Sequence, residues 1–383
     1  MTVTASGGFR ACGVTAGLKA SGTPDVALVV NDGPSDVAAA VFTSNRCKAN
    51  PVLWSEQVLS DHRARAVLLN SGGANCYTGP QGFQTTHANA EQVADRLGTG
   101  AVDVVVCSTG LIGEQLDRDA MTTGVELAVK ALSADGGPAA AEAIMTTDTR
   151  SKEVVRHGDG YRVGGMAKGA GMLAPALATM LVVVTTDADV DAETADRALR
   201  EATRRTFDRL DSDGCMSTND TVLLLCSGAS GARPDEAAFT EVLTDACHDL
   251  AQQLLRDAEG AEHDIAIEVT GAATEDDAVT VGRAIARSNL FKTAVYGRDP
   301  NWGRILAAVG TTDATFEPGD LDVAVNGVRI CRSGGPGEPR NKVDLADRAV
   351  TVTVDLKAGT EFATIWTNDL THAYVHENSA YST

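Results

Sequence analysis

The sequence predicts a mixed α/β or α+β fold, and three observations lead there. Short runs of valine, leucine and alanine, such as VALVV at residues 26–30, have the length and β-branched content of buried strands. Between them lie longer amphipathic stretches with apolar residues three and four positions apart, the period of a helix with one buried face. The 38 glycines against only 4% aromatics point to a core of small aliphatic side chains with many tight backbone passages. At 383 residues and 43% apolar, the chain is long enough for one large or two medium domains with a sizeable core.

In chain order, residues 26–30, 38–42 and 66–69 read as strands and residues 85–97 as a helix. Residues 101–107 read as a buried strand running into the turn Ser108-Thr109-Gly110, which leaves backbone N–H groups open at a strand end. A helix over residues 120–132 stops at Gly136, Gly137 and Pro138, and a second helical patch ends near Met145. The polar loop Thr146, Thr147, Asp148, Thr149 follows, and residues 161–166 lead to an uncharged segment whose end, residues 180–186, reads as a strand. Residues 192–210 read as one amphipathic helix, residues 221–226 as a strand, and residues 235–258 as the strongest helix, with Gly260 as its stop. Residues 265–270, 273–287, 321–330 and 349–356 alternate strand and helix patterns. A domain boundary is expected between Thr179 and Thr221.

A formal charge of −20, spread along the chain, would repel phosphate backbones and anionic lipid, so neither nucleic acid nor membrane is an expected partner. Anionic substrates would then need local lysine or arginine. Residues 169–186 hold 18 positions without a charge, the lower limit of a membrane span, but Gly169, Gly171 and Pro175 break a helix and three successive valines favour a strand. The eight cysteines lack CxxC spacing, as reduced thiols do, and residues 1–8 show neither a basic nor an apolar leader, so a cytoplasmic location is expected. No HExxH accompanies the histidines, His372 and His376 at spacing four lack a supporting acid motif, and the glycines of residues 164–171 lack a GK[ST] ending, so neither a metal nor a phosphate loop is expected. Cys76 and Cys107 read as buried structural thiols, and DPNWGR, residues 299–304, as a proline-started turn with a packed Trp302.

A threonine at the mouth of a buried strand is by itself an ordinary strand residue. Yet the run KGAGMLAPALATMLVVVTTDA, residues 168–188, closely resembles the self-processing signature of the ornithine acetyltransferase (glutamate N-acetyltransferase) family. GFRACGVTAGLK, AAVFTSN, LLNSGGANCYTG, CSTGLIGE, AIMTTDTR, STNDTV, DPNWGR and the final HENSAYST resemble further blocks of that family, in its order and over nearly the whole chain. The departures are local: Glu262-His263 stands where the family usually has Thr-Lys, and Asp213-Gly214-Cys215-Met216 differs from its acidic-Thr pattern.

The resemblance implies an N-terminal-nucleophile-like sandwich of sheets and helices with a second, smaller α/β domain. It implies self-cleavage between Ala178 and Thr179 into chains 1–178 and 179–383, assembled as an α2β2 heterotetramer. Thr179 would be the nucleophile, its freed α-amine the base, and Thr109 and Gly110 the oxyanion hole. Thr146, Lys168, Thr179, Glu259, Asn378 and Thr383 would contact substrate, with Lys168 suited to a carboxylate and Glu259 to an amine. The reaction implied is acetyl transfer from N-acetylornithine to glutamate in arginine biosynthesis, without a cofactor and with acetyl-CoA as a candidate co-substrate. The chemical alternative is a self-cleaved amidohydrolase or aminopeptidase in which water accepts the acyl group.

Overall fold

Strands that are apolar on both faces need cover on both faces, and this sets the layering of the molecule. The computed structural model describes residues 2–172 and 180–380. Its first part runs β1 (Phe9–Val14), β2 (Val26–Asn31), β3 (Val37–Phe42), α1 (Asn50–Val58), β4 (Ala66–Asn70), α2 (Gly79–Leu97), β5 (Val104–Ser108), α3 (Arg118–Ala131), α4 (Gly137–Ala143), β6 (Lys152–His157) and β7 (Arg162–Lys168). It continues with β8 (Leu181–Thr186), α5 (Ala192–Arg205), β9 (Thr221–Cys226), α6 (Glu236–Arg256), β10 (Asp264–Ala272), α7 (Glu275–Ala286), α8 (Asn289–Tyr296) and α9 (Trp302–Val309). The last elements are β11 (Asp322–Val325), β12 (Val328–Arg332), β13 (Gly335–Pro336), β14 (Ala349–Asp355), β15 (Glu361–Asn368) and α10 (His372–Ala380).

Among the described residues these strands form three sheets, ordered β1-β2-β4-β5, β3-β9-β8-β7-β6 and β13-β12-β11-β14-β10-β15. Every residue of β2, β4, β5, β8 and β9 is buried. Along β8 the alternation of a strand divides the burial: Leu181 and Val183 share a core with Leu28, Val67, Met121 and Val125, while Val182 and Val184 share one with Leu199, Phe239 and Leu243. The second sheet thus lies between the first sheet and the pair α5 and α6, and each such buried valine stabilises the fold by roughly 1.5–3 kcal/mol. The third sheet differs. Its strands alternate buried and part-exposed positions, and one face packs on α7 around Val281 and Ile285 in a core of its own. This is the mixed α/β architecture expected, with the smaller α/β unit formed by the third sheet.

Several expectations are corrected. The helix expected over residues 192–210 ends at Arg205, because Thr206 leaves helical geometry at φ −129° before a short 3-10 turn over Phe207–Arg209. The strand expected from residue 101 begins at Val104, after a 3-10 turn held by the Asp103 carboxylate accepting the Gly100 N–H at 2.9 Å. Residues 321–330 form a hairpin that reverses at Asn326 and Gly327, with φ 47° and 79°. The proline-started turn of residues 299–304 enters α9, whose first turn Asn301 caps through the Arg304 N–H. The interval between Thr179 and Thr221 crosses no boundary in the described residues, since β8 and β9 are parallel neighbours in one sheet. Among the described residues, no helix is long and apolar enough to cross a membrane.

Candidate active site

The site begins where the parallel strands β4 and β5 end side by side, with Asn70 opposite Ser108. Loops leaving the same end of two parallel strands converge, and here side-chain amides lock them together. The Asn70 amide donates to Ser108 Oγ at 2.6 Å, and the Asn219 amide donates to both Ala74 O and Ser108 O, at 2.7 and 2.8 Å. Thr109 N–H donates to Asn70 O and Gly73 N–H to Thr109 O, both at 3.0 Å. Gly110 sits at φ +128°, and a Cβ there would lie 2.8 Å from Gly73 N, so only glycine fits this corner. Among the described residues its N–H meets no acceptor and borders a cavity of about 500 Å³.

The second sheet supplies the floor. At the end of β7, paired with Leu181 of β8, Lys168 is 2% exposed and its Nζ donates to Thr109 Oγ1 at 3.4 Å. Burial pushes the Lys168 ammonium down in pKa, and Asp148, 3.9 Å away, opposes that shift. Asp148 is the hub. Its carboxylate accepts from Gly169 N–H at 2.7 Å, Thr146 N–H at 3.0 Å and Lys152 Nζ at 2.6 Å, and so fixes the ends of two segments that border the cavity. Burial pushes this carboxyl up, but Lys168, Lys152 and the Gly169 N–H outweigh it and hold it at about 2. Lys152 spans to Asp257 at 2.6 Å, and Asp257 accepts the Thr149 N–H at 3.0 Å, which ties the end of α6 to the same floor.

The rim comes from three distant parts of the chain. Lys19 projects from the loop after β1, where the buried Asp25 carboxylate accepts the N–H groups of Ala16, Gly17, Leu18 and Lys19. Glu259 follows α6, its N–H donating to Ala170 O at 3.0 Å, and a Cβ on Gly171 would stand 2.7 Å from its carboxylate. Asn378 on α10 donates to Glu259 Oε2 at 3.0 Å.

Of the residues singled out in the sequence, Thr109, Gly110, Thr146, Lys168, Glu259 and Asn378 all line this one cavity. Ala178, Thr179 and Thr383 lie outside the described residues. The described chain resumes at Met180, whose N–H donates to Asp220 Oδ1 at 3.1 Å. Burial holds the Asp220 carboxyl well above the ordinary carboxylate range. Sequence reasoning gives no role to Lys19, Asp25, Lys152, Asp220 or Asp257, nor to Asp148, although Asp148 stands two residues after Thr146 in the same polar loop. Lysine four residues after aspartate is the only local hint of the floor. Cys107 and Cys76 are buried, and burial pushes the Cys107 thiol to about 12 and raises that of Cys76, the opposite of an activated nucleophile. His263 is buried, with Nδ1 2.7 Å from Asp369 Oδ2 and Nε2 3.2 Å from Leu345 O, and Glu262 beside it is exposed, so neither residue of this departure is among those lining the cavity. Asp213 reaches it indirectly, accepting the Met172 N–H at 2.7 Å.

The ArgJ family description matches residues 10–383. The chain is 65% identical to the arginine biosynthesis bifunctional protein ArgJ of Streptomyces coelicolor, over the full length of both. It is 55% identical to the Mycobacterium tuberculosis protein of the same name, over 99% of this chain and 96% of that one. A crystal structure of the M. tuberculosis ornithine acetyltransferase with ornithine is 55% identical and covers 47% of this chain and 96% of that chain, at a TM-score of 0.45. Identity of this extent over the whole length is decisive: the chain belongs to the ArgJ family.

Proposed function

We propose that this chain transfers the acetyl group of N-acetyl-L-ornithine to L-glutamate, a step of arginine biosynthesis, through an acetyl ester on Thr179. The observation that carries the reading is the convergence of Thr109, Gly110, Thr146, Lys168, Glu259 and Asn378, from separate stretches of the chain, on one cavity. Relatives at 55–65% identity over nearly their full length bear the arginine biosynthesis name, which favours glutamate over water as the acyl acceptor.

In the intact chain the Thr179 nitrogen is an amide and no base. Attack of its Oγ on the Ala178 carbonyl shifts the acyl group from nitrogen to oxygen, and water hydrolyses the ester. The freed α-amine has a pKa of about 7.7–8.0, so a useful fraction can accept the hydroxyl proton near neutrality. Thr179 Oγ then attacks the acetyl carbonyl of N-acetylornithine. The negative charge developing on the carbonyl oxygen falls to the Thr109 hydroxyl and the Gly110 N–H, donors held in place before the charge appears. Lys168 donates to the Thr109 oxygen and so leaves the Thr109 hydroxyl proton free to serve the oxyanion. The α-amine returns its proton to the departing nitrogen of ornithine. Glutamate nitrogen attacks the acetyl ester next, the same base takes its proton and returns it to Thr179 Oγ as the ester bond breaks, and N-acetylglutamate leaves.

Cleavage at Ala178-Thr179 would give chains of residues 1–178 and 179–383. Pairing supports their staying together, because β7 before the break pairs with β8 after it, and β3 with β9. An α2β2 assembly of such pairs, a cytoplasmic location and acetyl-CoA as a second acetyl donor belong to the same proposal. Intact-mass analysis after brief exposure to N-acetylornithine tests it: an acetyl adduct is expected on the chain beginning at Thr179, and Thr179→Ala should leave one uncleaved band. N-terminal sequencing of active protein that found no chain starting at Thr179 would falsify the mechanism. Ornithine release indifferent to glutamate would instead reveal a hydrolase.

A further inference from the structure

We infer that Lys19 takes the α-carboxylate common to both amino-acid substrates, and so sets the preference of the cavity for acids over their neutral analogues. The assignment rests on the acetyl-transfer reading only for the identity of those substrates. Its basis is the setting of the charged side chains that line the cavity among the described residues, Lys19, Lys168 and Glu259.

Lys168 is poorly placed to receive a carboxylate. It is buried against Asp148 and its ammonium already serves Thr109, so a second anion brought to it would lie beside the first. Lys19 is in the opposite condition. It is half-buried, and its Nζ donates to two neutral oxygens, Pro24 O at 2.9 Å and Met145 O at 2.7 Å. Among the described residues, no carboxylate lies within ion-pair distance of it. An ammonium has three N–H donors, so these carbonyls leave one for a ligand, along with a charge that Asp25, Asp148 and Glu142 offset only from beyond ion-pair distance.

The position is also fixed in advance. Asp25 gathers four consecutive N–H groups, of Ala16, Gly17, Leu18 and Lys19, at 2.6–3.1 Å, and the Met145 contact ties this loop to the segment leading to Thr146. A cation held this way orders few new groups when it binds an anion. On a chain of net charge −20, a cation without an ion-pair partner among the described residues that line the cavity is where an anionic substrate would settle. Glu259 with Asn378 at another part of the rim suits the amine of the same molecule. The competing account makes Lys19 a tether that only closes its loop onto Met145.

Ornithine and ornithinamide differ at the carboxyl alone, and calorimetric titration of each into the mature protein separates the two accounts. The protein should bind ornithine about tenfold or more tightly than the amide, the effect of one charge-assisted hydrogen bond. Lys19→Gln keeps a donor without the charge and should remove most of that preference while affinity for the amide changes little; Lys19→Arg should restore much of it. Should Lys19→Gln not accumulate as folded protein, Lys19→Met carries the same comparison. A preference that survives these changes, an equal loss for both ligands, or no preference in the unaltered protein would overturn the inference. N-acetylglutamate formation, assayed separately, reads the proposed transfer: its absence beside a Lys19-dependent preference would sink that function and leave the carboxylate contact standing.

Discussion

Two ionic lattices in this molecule pair a basic side chain with carboxylates at similar distances and have different consequences. Beneath the cavity, Lys152 bridges Asp148 and Asp257 at 2.6 Å each, with the lysine wholly buried. On the outer faces of α5 and α6, Arg197 meets Glu236 at 2.8 Å with the arginine 53% exposed, and Arg205 meets Glu241 at 2.8 Å. Water and salt can replace the outer partners at little cost. In the floor no solvent can, and the Asp148 oxygens there also hold the amides of Thr146 and Gly169 at the cavity wall. Distance alone therefore says little about what an ion pair does; burial and the backbone attached to it decide.

Lys152→Met is the sharpest way to break this contrast. It strands two buried carboxylates, and the expected loss is about 3–5 kcal/mol in unfolding free energy, read from the denaturant midpoint. Acetyl transfer should fall with it, because Asp148, the common anchor of the segments carrying Thr146 and Lys168, loses a cation that holds it in place. A midpoint shift no larger than that of an exposed arginine variant would remove the distinction between the lattices.

Acid provides the next largest effect. Asp148 is held at about 2, below its unfolded value near 3.9, so its contribution is present above pH 4 and is lost as pH falls toward 2. Across that window the protein should lose roughly 2 kcal/mol more than Asp148→Asn does, by acid titration of the unfolding midpoint. The outer carboxylate of Glu236 is also lowered, by its hydrogen bond to Arg197, but it is exposed and Glu236→Gln should leave the acid profile nearly parallel to that of the parent.

Between the extremes stands Arg209, 7% exposed, which reaches Glu275 at 2.6 Å while Glu275 is 37% exposed. Arg209→Met should cost about 1–2 kcal/mol, since it removes two guanidinium hydrogen bonds, to Glu275 and to Arg204 O, while Glu275 keeps Arg204 and can still find water. Its unfolding midpoint should fall between those of Lys152→Met and Arg197→Ala, and a reversal of that order would show that burial is not the controlling variable.

The same contrast explains what could be read from the sequence. The helices of the outer lattice were visible because their apolar positions recur at helical spacing, and the strands of the first two sheets because whole runs are apolar. The turn at Thr109 and Gly110 was readable too, as polar residues closing a buried run. The floor was not. Lys152 sits in a strand of mixed character, and one of its two carboxylate partners lies 105 residues away, a pairing that no local period records. Lys19 was equally silent, because its setting depends on Met145, 126 residues further along. The break at Thr206 escaped for a related reason: apolar spacing carries on through residue 210 although the backbone turns aside. The family resemblance supplied the wall of the cavity, and packing supplied what holds that wall in place.

The smallest effect is the most demanding check on this view. Arg197 makes a two-pronged contact with Glu236, its Nε and Nη2 donating at 2.9 and 2.8 Å, and by geometry alone it would rank with the best pairs in the molecule. Both partners stand in solvent, where the freedom lost in holding two long side chains together offsets most of the attraction and added salt screens the rest. Arg197→Ala should therefore leave the urea midpoint within experimental scatter of the parent, at low and at high salt alike, with acetyl transfer intact. A clear, salt-sensitive loss of stability in this variant would mean that the outer lattice acts as a network across α5 and α6, and the line drawn between the two regions would have to follow connectivity in place of burial.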